Sequence, residues 1–256
     1  MKYIYRLLQS LIIFILGTGS AYSVEVDASI DWAEKRVAHF SVEGIVAEVN
    51  ISQGDSFKKG DTLLALDKSV FVQKVALHRA EVTGLKPVFD DASRELDHAN
   101  TLYEQTVLSD VELQKAQMSY EIAKSDLAQA KSHYRIAQLE LEFASIVAPW
   151  DGFVLESHVL PGKFVSAENN DKPLLILVRS DRLKAVGRVS KSIADSVAIS
   201  TKAKVEVNGK SHAAEVTDVR RNISATSKKG EYRLAVEFDA RGQTALVGRN
   251  AIIRLP

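Results

Sequence analysis

The stretch Gly44-Ile-Val-Ala-Glu-Val-Asn-Ile-Ser-Gln-Gly54 returns as Gly152-Phe-Val-Leu-Glu-Ser-His-Val-Leu-Pro-Gly162, displaced by a constant offset (152 − 44 = 108). Both glycines align without a gap, as do Val46 with Val154, Glu48 with Glu156 and Ile51 with Val159. Self-similarity of this kind means that one structural unit is present twice. Each copy is too short to bury a core alone, so the two are expected to be halves of one small β-domain with an insertion at their junction. Gly44, Gly54, Gly60, Gly152 and Gly162 are its expected structural positions, where tight turns join short strands.

What lies between the copies is helical by its period. On the returning arm Leu113, Ala116, Tyr120, Ala123, Leu127, Ala130, Tyr134, Ala137, Leu141 and Ala144 keep a 3-4 spacing, with Glu121, Lys124, Gln129, Lys131 and Gln138 off the seam. The outgoing arm carries Phe71, Val75, His78, Val82, Leu85, Phe89, Ala92, Leu96, Ala99, Tyr103 and Thr106 at the same spacing. Two heptad seams in succession predict an antiparallel coiled-coil hairpin over 69–144. The break falls between Thr106 and Ser109, because Ser109-Asp-Val-Glu112 fits a capping box that starts a second helix. Arms of about 35 residues would project on the order of 50 Å at 1.5 Å per residue. Gly84 weakens the outgoing arm, and Pro87, which lacks an amide donor, is expected to bend or interrupt it near Thr83. The tyrosines and His78 on the seam read as packing residues.

The flanks read as β-structure. Val42 to Ile51 and the glycine-punctuated 54–67 segment give short strands before the hairpin, and Leu174 to Val178 a buried one after it. Leu183 to Val189 alternates, Ser190 to Val197 suits a short capped helix, and Val205 to Lys210 is a hairpin on the type I′ pair Asn208-Gly209. Tyr232 to Phe238 and Ala251 to Leu255 complete a small β-barrel domain. The fold class is therefore α+β and multidomain: a split lipoyl-like β-sandwich, a long α-hairpin and a β-barrel. The expected partition is 1–23 signal peptide, 24–68 first sandwich half with an N-terminal strand, 69–144 hairpin, 145–179 second half and 180–256 barrel.

Composition limits the function. Lys plus Arg and Asp plus Glu number 33 each, with the signs interspersed, so no field favours nucleic acid. Lys2 and Arg6, the apolar run from Leu7 to Leu16 and Ala21-Tyr22-Ser23 have the order of an export signal. A retained anchor is the alternative, although the run is shorter than the roughly 20 residues a spanning helix needs. The expected location is the periplasm of a Gram-negative bacterium. Cysteine is absent, which removes disulfides, thiol catalysis and lipid attachment at an N-terminal cysteine.

The Gly44 to Asp67 half-motif, the heptad hairpin, the returning Ile146-Val-Ala-Pro-Trp-Asp-Gly-Phe-Val and the β-rich tail, in that order, resemble the membrane fusion proteins. These are the HlyD-type periplasmic adaptors of bacterial efflux and secretion systems. The resemblance covers nearly the whole mature chain. It implies a non-enzymatic adaptor subunit linking an inner-membrane transporter of RND or ABC type to a TolC-like outer-membrane channel, and self-associating into a sleeve. It also implies that the hairpin tip docks on the channel, through Leu with Ser seven positions later and Arg four positions before the Leu. Leu102 and Ser109 match, and His98 stands in the place of the Arg, with Thr106 and Val107 between the matched pair. A neutral imidazole lacks the bidentate, permanently charged contacts of guanidinium. In the tail, Ser200-Thr201 occupies a place often held by Gly-Gln. With the last residue at Pro256, no sequence is left for the membrane-proximal domain of many pump adaptors. The alternative reading is a periplasmic coiled-coil scaffold or accessory subunit of a transporter, without channel contact.

Other chemistry is weakly represented. Lys68 follows Asp67 where lipoyl and biotinyl carriers place their modified lysine, but the same junction launches the hairpin, so Lys68 is expected to start a helix. Gly209-Lys210-Ser211 resembles the end of a phosphate-binding loop, yet Lys204 replaces its first glycine and the segment reads as a hairpin. The six histidines, His39, His78, His98, His133, His158 and His212, form no close pair at ligand spacing, and Met1 and Met118 are the only methionines. No catalytic, cofactor or metal site is expected.

Overall fold

A computed structural model describes residues 24–166, 173–221 and 231–256, so the expected signal segment lies outside the described residues. The chain divides into two units, one of residues 35–178 and one built from 24–34 and 179–256. Among the described residues, no helix is long and apolar enough to cross a membrane.

The described chain opens with strand β1 (Val24–Trp32), in which Val26, Ala28, Ile30 and Trp32 alternate into a core. Eight strands then follow, all in the 35–178 unit except for the last residue of β9: β2 (Lys35–Ala38), β3 (Gly44–Val49), β4 (Ser56–Phe57), β5 (Thr62–Leu66), β6 (Ser145–Val147), β7 (Gly152–Ser157), β8 (Phe164–Val165) and β9 (Leu175–Arg179). They form two four-stranded sheets, β2-β9-β7-β4 and β6-β5-β3-β8. One apolar cluster joins them, including Val46, Leu63, Leu64, Leu66, Val154, Val165, Leu175 and Leu177.

The repeat is visible here as an exchange of backbone hydrogen bonds. The Gly54 amide donates to the Val154 carbonyl at 2.8 Å, and the Val154 amide to the Asp55 carbonyl at 3.0 Å. At the same offset, the Gly162 amide donates to the Val46 carbonyl at 2.8 Å, and the Val46 amide to the Lys163 carbonyl at 2.9 Å. The ladders follow suit, with Phe57 opposite Gly152 and Val165 opposite Gly44. Each copy's strand is thus completed by the turn of the other copy. Each half pairs some backbone groups within itself but depends on the other for these, which binds the two into one domain despite the inserted hairpin.

The equivalent glycines do different work within this symmetry. Gly54, Gly60 and Gly162 sit at φ of +89°, +93° and +82°, the left-handed region that glycine enters without penalty. Gly152 is needed for space: a Cβ there would lie 2.0 Å from the Val178 carbonyl oxygen. At Gly44 a Cβ would meet only the flexible end of Leu66, at 3.2 Å.

Helix α1 (Ser69–Glu104) leaves the sandwich and helix α2 (Asp110–Phe143) returns to it. Phe71 at one root and Ala144 after the other belong to the sandwich core. All ten expected α2-arm seam positions, from Leu113 to Ala144, are buried or half-buried. The outgoing seam holds from Phe71 to Ala99. It then departs from expectation, because Tyr103 and Thr106 are exposed and Leu102 takes the inward place. Antiparallel register shows in the pairs that cross the hairpin: Lys74 with Glu140 (2.9 Å), His78 with His133 (ring centroids 5.5 Å) and Phe89 with Tyr120 (5.6 Å). No break occurs at Pro87, through which α1 runs continuously. Neighbouring turns and the facing helix hold the segment helical although Pro87 removes one backbone donor.

The second unit contains β10 (Arg182–Val189), the short helix α3 (Lys191–Ser196), β11 (Lys202–Val207), β12 (Lys210–Arg221), β13 (Tyr232–Asp239) and β14 (Asn250–Leu255). These strands close a barrel in the order β1-β10-β13-β12-β11-β14. Residues 24–32 therefore do not extend the first sandwich half, as the sequence reading had them. Val24 pairs with Leu255 and Trp32 with Leu183, so β1 fills the gap between β14 and β10 and leaves no barrel edge open. Gly187 on β10 accommodates this approach, since a Cβ would lie 2.7 Å from Val26 Cγ1. The β11–β12 turn has positive φ at both Asn208 (51°) and Gly209 (73°), as a type I′ turn requires.

Candidate functional site

The hairpin tip is built by two capping devices meeting across five residues. Helix α1 ends in a Schellman motif, in which the Val107 amide donates to the Leu102 carbonyl (2.9 Å) and the Thr106 amide to the Tyr103 carbonyl (2.9 Å). This geometry puts Thr106 at φ 59°. Glycine usually holds that position, and a β-branched residue there is a true backbone outlier. Helix α2 starts with the expected capping box. Ser109 Oγ donates to Glu112 Oε2 at 2.7 Å and accepts from the Glu112 amide at 3.4 Å, while the Ser109 amide donates to Glu112 Oε2 at 3.1 Å. These bonds favour the carboxylate form and pull the Glu112 carboxyl below its usual value. Across the turn, the Asp110 carboxylate near the Tyr103 hydroxyl pushes that tyrosine's ionisation up.

The five residues singled out for the tip are divided by this arrangement. Thr106 and Val107 form the outer turn, and Val107 is 70% exposed. His98 is exposed on the side of α1. Leu102 is half-buried and closes the seam, and the Ser109 hydroxyl is engaged with Glu112. Val111, in the first turn of α2, is 74% exposed and adds a second apolar side chain close to Val107 in sequence, which the period of the seam gave no reason to select.

Elsewhere the junction lysine behaves as expected. Lys68 is the N-cap residue of α1. Asp67 Oδ1 accepts from both the Ser69 amide (2.9 Å) and the Ser69 hydroxyl (2.6 Å), which lowers the Asp67 carboxyl below its usual range. In the barrel unit Ser200 adopts φ 70°, a conformation suited to glycine. The hairpin also brings together side chains that sequence spacing keeps apart. Ligand atoms of His78, Glu81 and His133 all lie within 4.8 Å of one another.

Comparison with known proteins places this architecture. The profile described as RND MFP, barrel-sandwich hybrid domain, matches residues 38–177. The efflux pump periplasmic linker BepD of Brucella suis biovar 1 (strain 1330) is 24% identical over 140 residues, or 55% of this chain. That alignment spans 35% of the linker's length. The membrane fusion protein Spr0693 of Streptococcus pneumoniae R6 superposes with a TM-score of 0.65 at 13% identity, covering 91% of this chain and 99% of the other. A MacA-MexA chimera carrying the Pseudomonas aeruginosa MexA α-hairpin gives 0.61 at 16% identity, covering 91% and 80%. The split sandwich, its inserted hairpin and the profile match lead to one conclusion: this chain belongs to the RND membrane fusion protein family, through its barrel-sandwich hybrid domain.

Proposed function

We propose that the chain is a periplasmic adaptor of a tripartite efflux or secretion system, in which the tip of the hairpin engages a TolC-like outer-membrane channel. Its β-domains engage an inner-membrane transporter of RND or ABC type, and several copies pack into a sleeve. The chain is a linker, not an enzyme. The observation that carries this reading is the tip itself: Val107 and Val111 are apolar and exposed at the end of a hairpin whose caps are satisfied from within. Exposed apolar side chains that folding does not require suit a partner surface. Oligomerisation follows from the geometry of a conduit, which one hairpin cannot enclose.

The commitment of Ser109 to Glu112 favours the second reading, a periplasmic scaffold or accessory subunit of a transporter without channel contact. The two readings separate in cells. A photocrosslinker at Val107 captures an outer-membrane channel under the first, while a probe at exposed Lys210 in the barrel captures the transporter under both. Capture at Lys210 with none at Val107 refutes the bridge. Shortening both arms by matched heptads abolishes export if the hairpin spans a gap, and leaves it intact if it is a scaffold.

A further inference from the structure

His78 and Glu81 lie one turn apart on α1, and His133 faces them from α2. The His78 and His133 rings are 5.5 Å apart between centroids, and His78 Nδ1 lies 3.1 Å from Glu81 Oε2. The side chains of His78 and Glu81 are 28% and 44% exposed, so an ion can reach them from solvent. We propose that these three residues form a transition-metal site, suited to Zn2+, that staples the two arms of the hairpin.

The ligand chemistry points to this class of ion. Two imidazoles and one carboxylate make a borderline set that zinc accepts with a fourth position left to water, whereas Ca2+ and Mg2+ require more oxygen ligands. Zinc bonds of about 2.0–2.1 Å put tetrahedral ligand atoms roughly 3.4 Å apart. The present spread of at most 4.8 Å therefore has to close by up to about 1.4 Å, a distance that side-chain torsions can supply. The Glu81–His78 contact already holds one ring toward the site.

Placement gives the staple its consequence. His78 lies nine residues into α1 (78 − 69 = 9), about 14 Å along the helix at 1.5 Å per residue. The ion would join the arms just before the stretch that contains Gly84 and Pro87, where intrinsic helix stability is lowest. Because each arm supplies a ligand, binding favours the closed hairpin over any state in which the arms separate.

The test uses the untagged full chain, stripped with chelator and titrated with ZnCl2, with Co2+ as a spectroscopic substitute. The expected result is one saturable Zn2+ per chain, a tetrahedral Co2+ spectrum, and slower amide exchange in residues 74–84 and 129–137. His78→Gln and His133→Gln each weaken binding on the order of tenfold or more. Glutamine keeps helix propensity, so far-UV circular dichroism separates lost ligation from lost folding. His158→Ala, on an exposed sandwich position, leaves affinity unchanged. Binding that persists in the His78→Gln/His133→Gln double variant overturns the proposal, as does an absence of saturable binding to the folded parent chain.

Discussion

Substituting alanine at Gly152 and at its repeat partner Gly44 separates what the repeat shares from what it does not. At Gly152 the new Cβ would lie 2.0 Å from the Val178 carbonyl oxygen and 3.1 Å from Phe57 Cζ, contacts that the backbone of β9 cannot evade by a rotamer change. Restoring even 3.0 Å to that oxygen displaces β7 from its neighbour β9 by about 1 Å, the scale at which core overpacking costs about 1–3 kcal/mol. Ladder bonds stretched by the same displacement add about 0.5–1.5 kcal/mol each. The total, roughly 3–5 kcal/mol, is a large part of a domain's stability. At Gly44 the contact is with Leu66 Cδ1 at 3.2 Å, and a shifted leucine torsion costs about 0.5–1.5 kcal/mol at most. The assay exploits the two tryptophans, since Trp32 lies in the barrel core and Trp150 packs against the sandwich core. In a Trp32→Phe background, urea unfolding followed by fluorescence reports the sandwich unit. With m of about 1–3 kcal/mol/M, Gly152→Ala lowers the midpoint by at least ~1 M and Gly44→Ala by well under that. Equal costs at the two sites, or a Gly152→Ala loss under about 1 kcal/mol, would refute the close-approach argument.

Thr106→Gly removes a β-branched residue from φ 59° and should raise hairpin stability by about 1 kcal/mol, seen as slower amide exchange at the end of α1; faster exchange there contradicts the strain. Gly84→Ala, in open space on α1, should gain about 0.8–1 kcal/mol in a thermal melt followed by far-UV circular dichroism, and a loss would mean that the site needs glycine. In the barrel unit, Arg179 grips Asp181 with bonds of 2.9 and 2.7 Å and holds its carboxyl below the usual range. The folded pKa lies below the unfolded one, so this stabilisation is fully present above about pH 4 and is lost as pH falls through the folded value. Both side chains are about a third exposed, which limits the pair to roughly 0.5–1 kcal/mol. Asp181→Asn should therefore destabilise the barrel at pH 7 and make little difference at acid pH, measured through Trp32 in a Trp150→Phe background; a gap that widens on acidification would contradict the assignment.

Local periodicity made much of the molecule legible from sequence. The offset between Gly44 and Gly152, the seam from Leu113 to Ala144, the Ser109–Glu112 box and the Asn208-Gly209 turn are each read within one or a few turns of chain, where a 3.6 or 2.0 period or a single φ preference decides the outcome. The candidate tip was legible for the same reason, because a break between two heptad runs must be an end. The division of labour within it was not. That Leu102 turns inward, Thr106 takes the strained position and Ser109 is bound to Glu112 depends on how the last turn of one helix meets the first turn of the next.

Sequence by itself determined the order of elements: half-motif, long hairpin, half-motif and β-rich tail. Tertiary structure decided which distant segments complete one another. β1 could be assigned to the barrel only by its pairing of Val24 with Leu255, since alternation in a strand says that one face is buried and not against what. The two repeat copies are legible from sequence as halves of one β-domain, but only the structure has each turn close the other's strand, which follows from unpaired backbone groups seeking partners across the domain. His78 and His133 are 55 residues apart in the chain (133 − 78 = 55), and only the antiparallel register of the hairpin brings their rings to 5.5 Å.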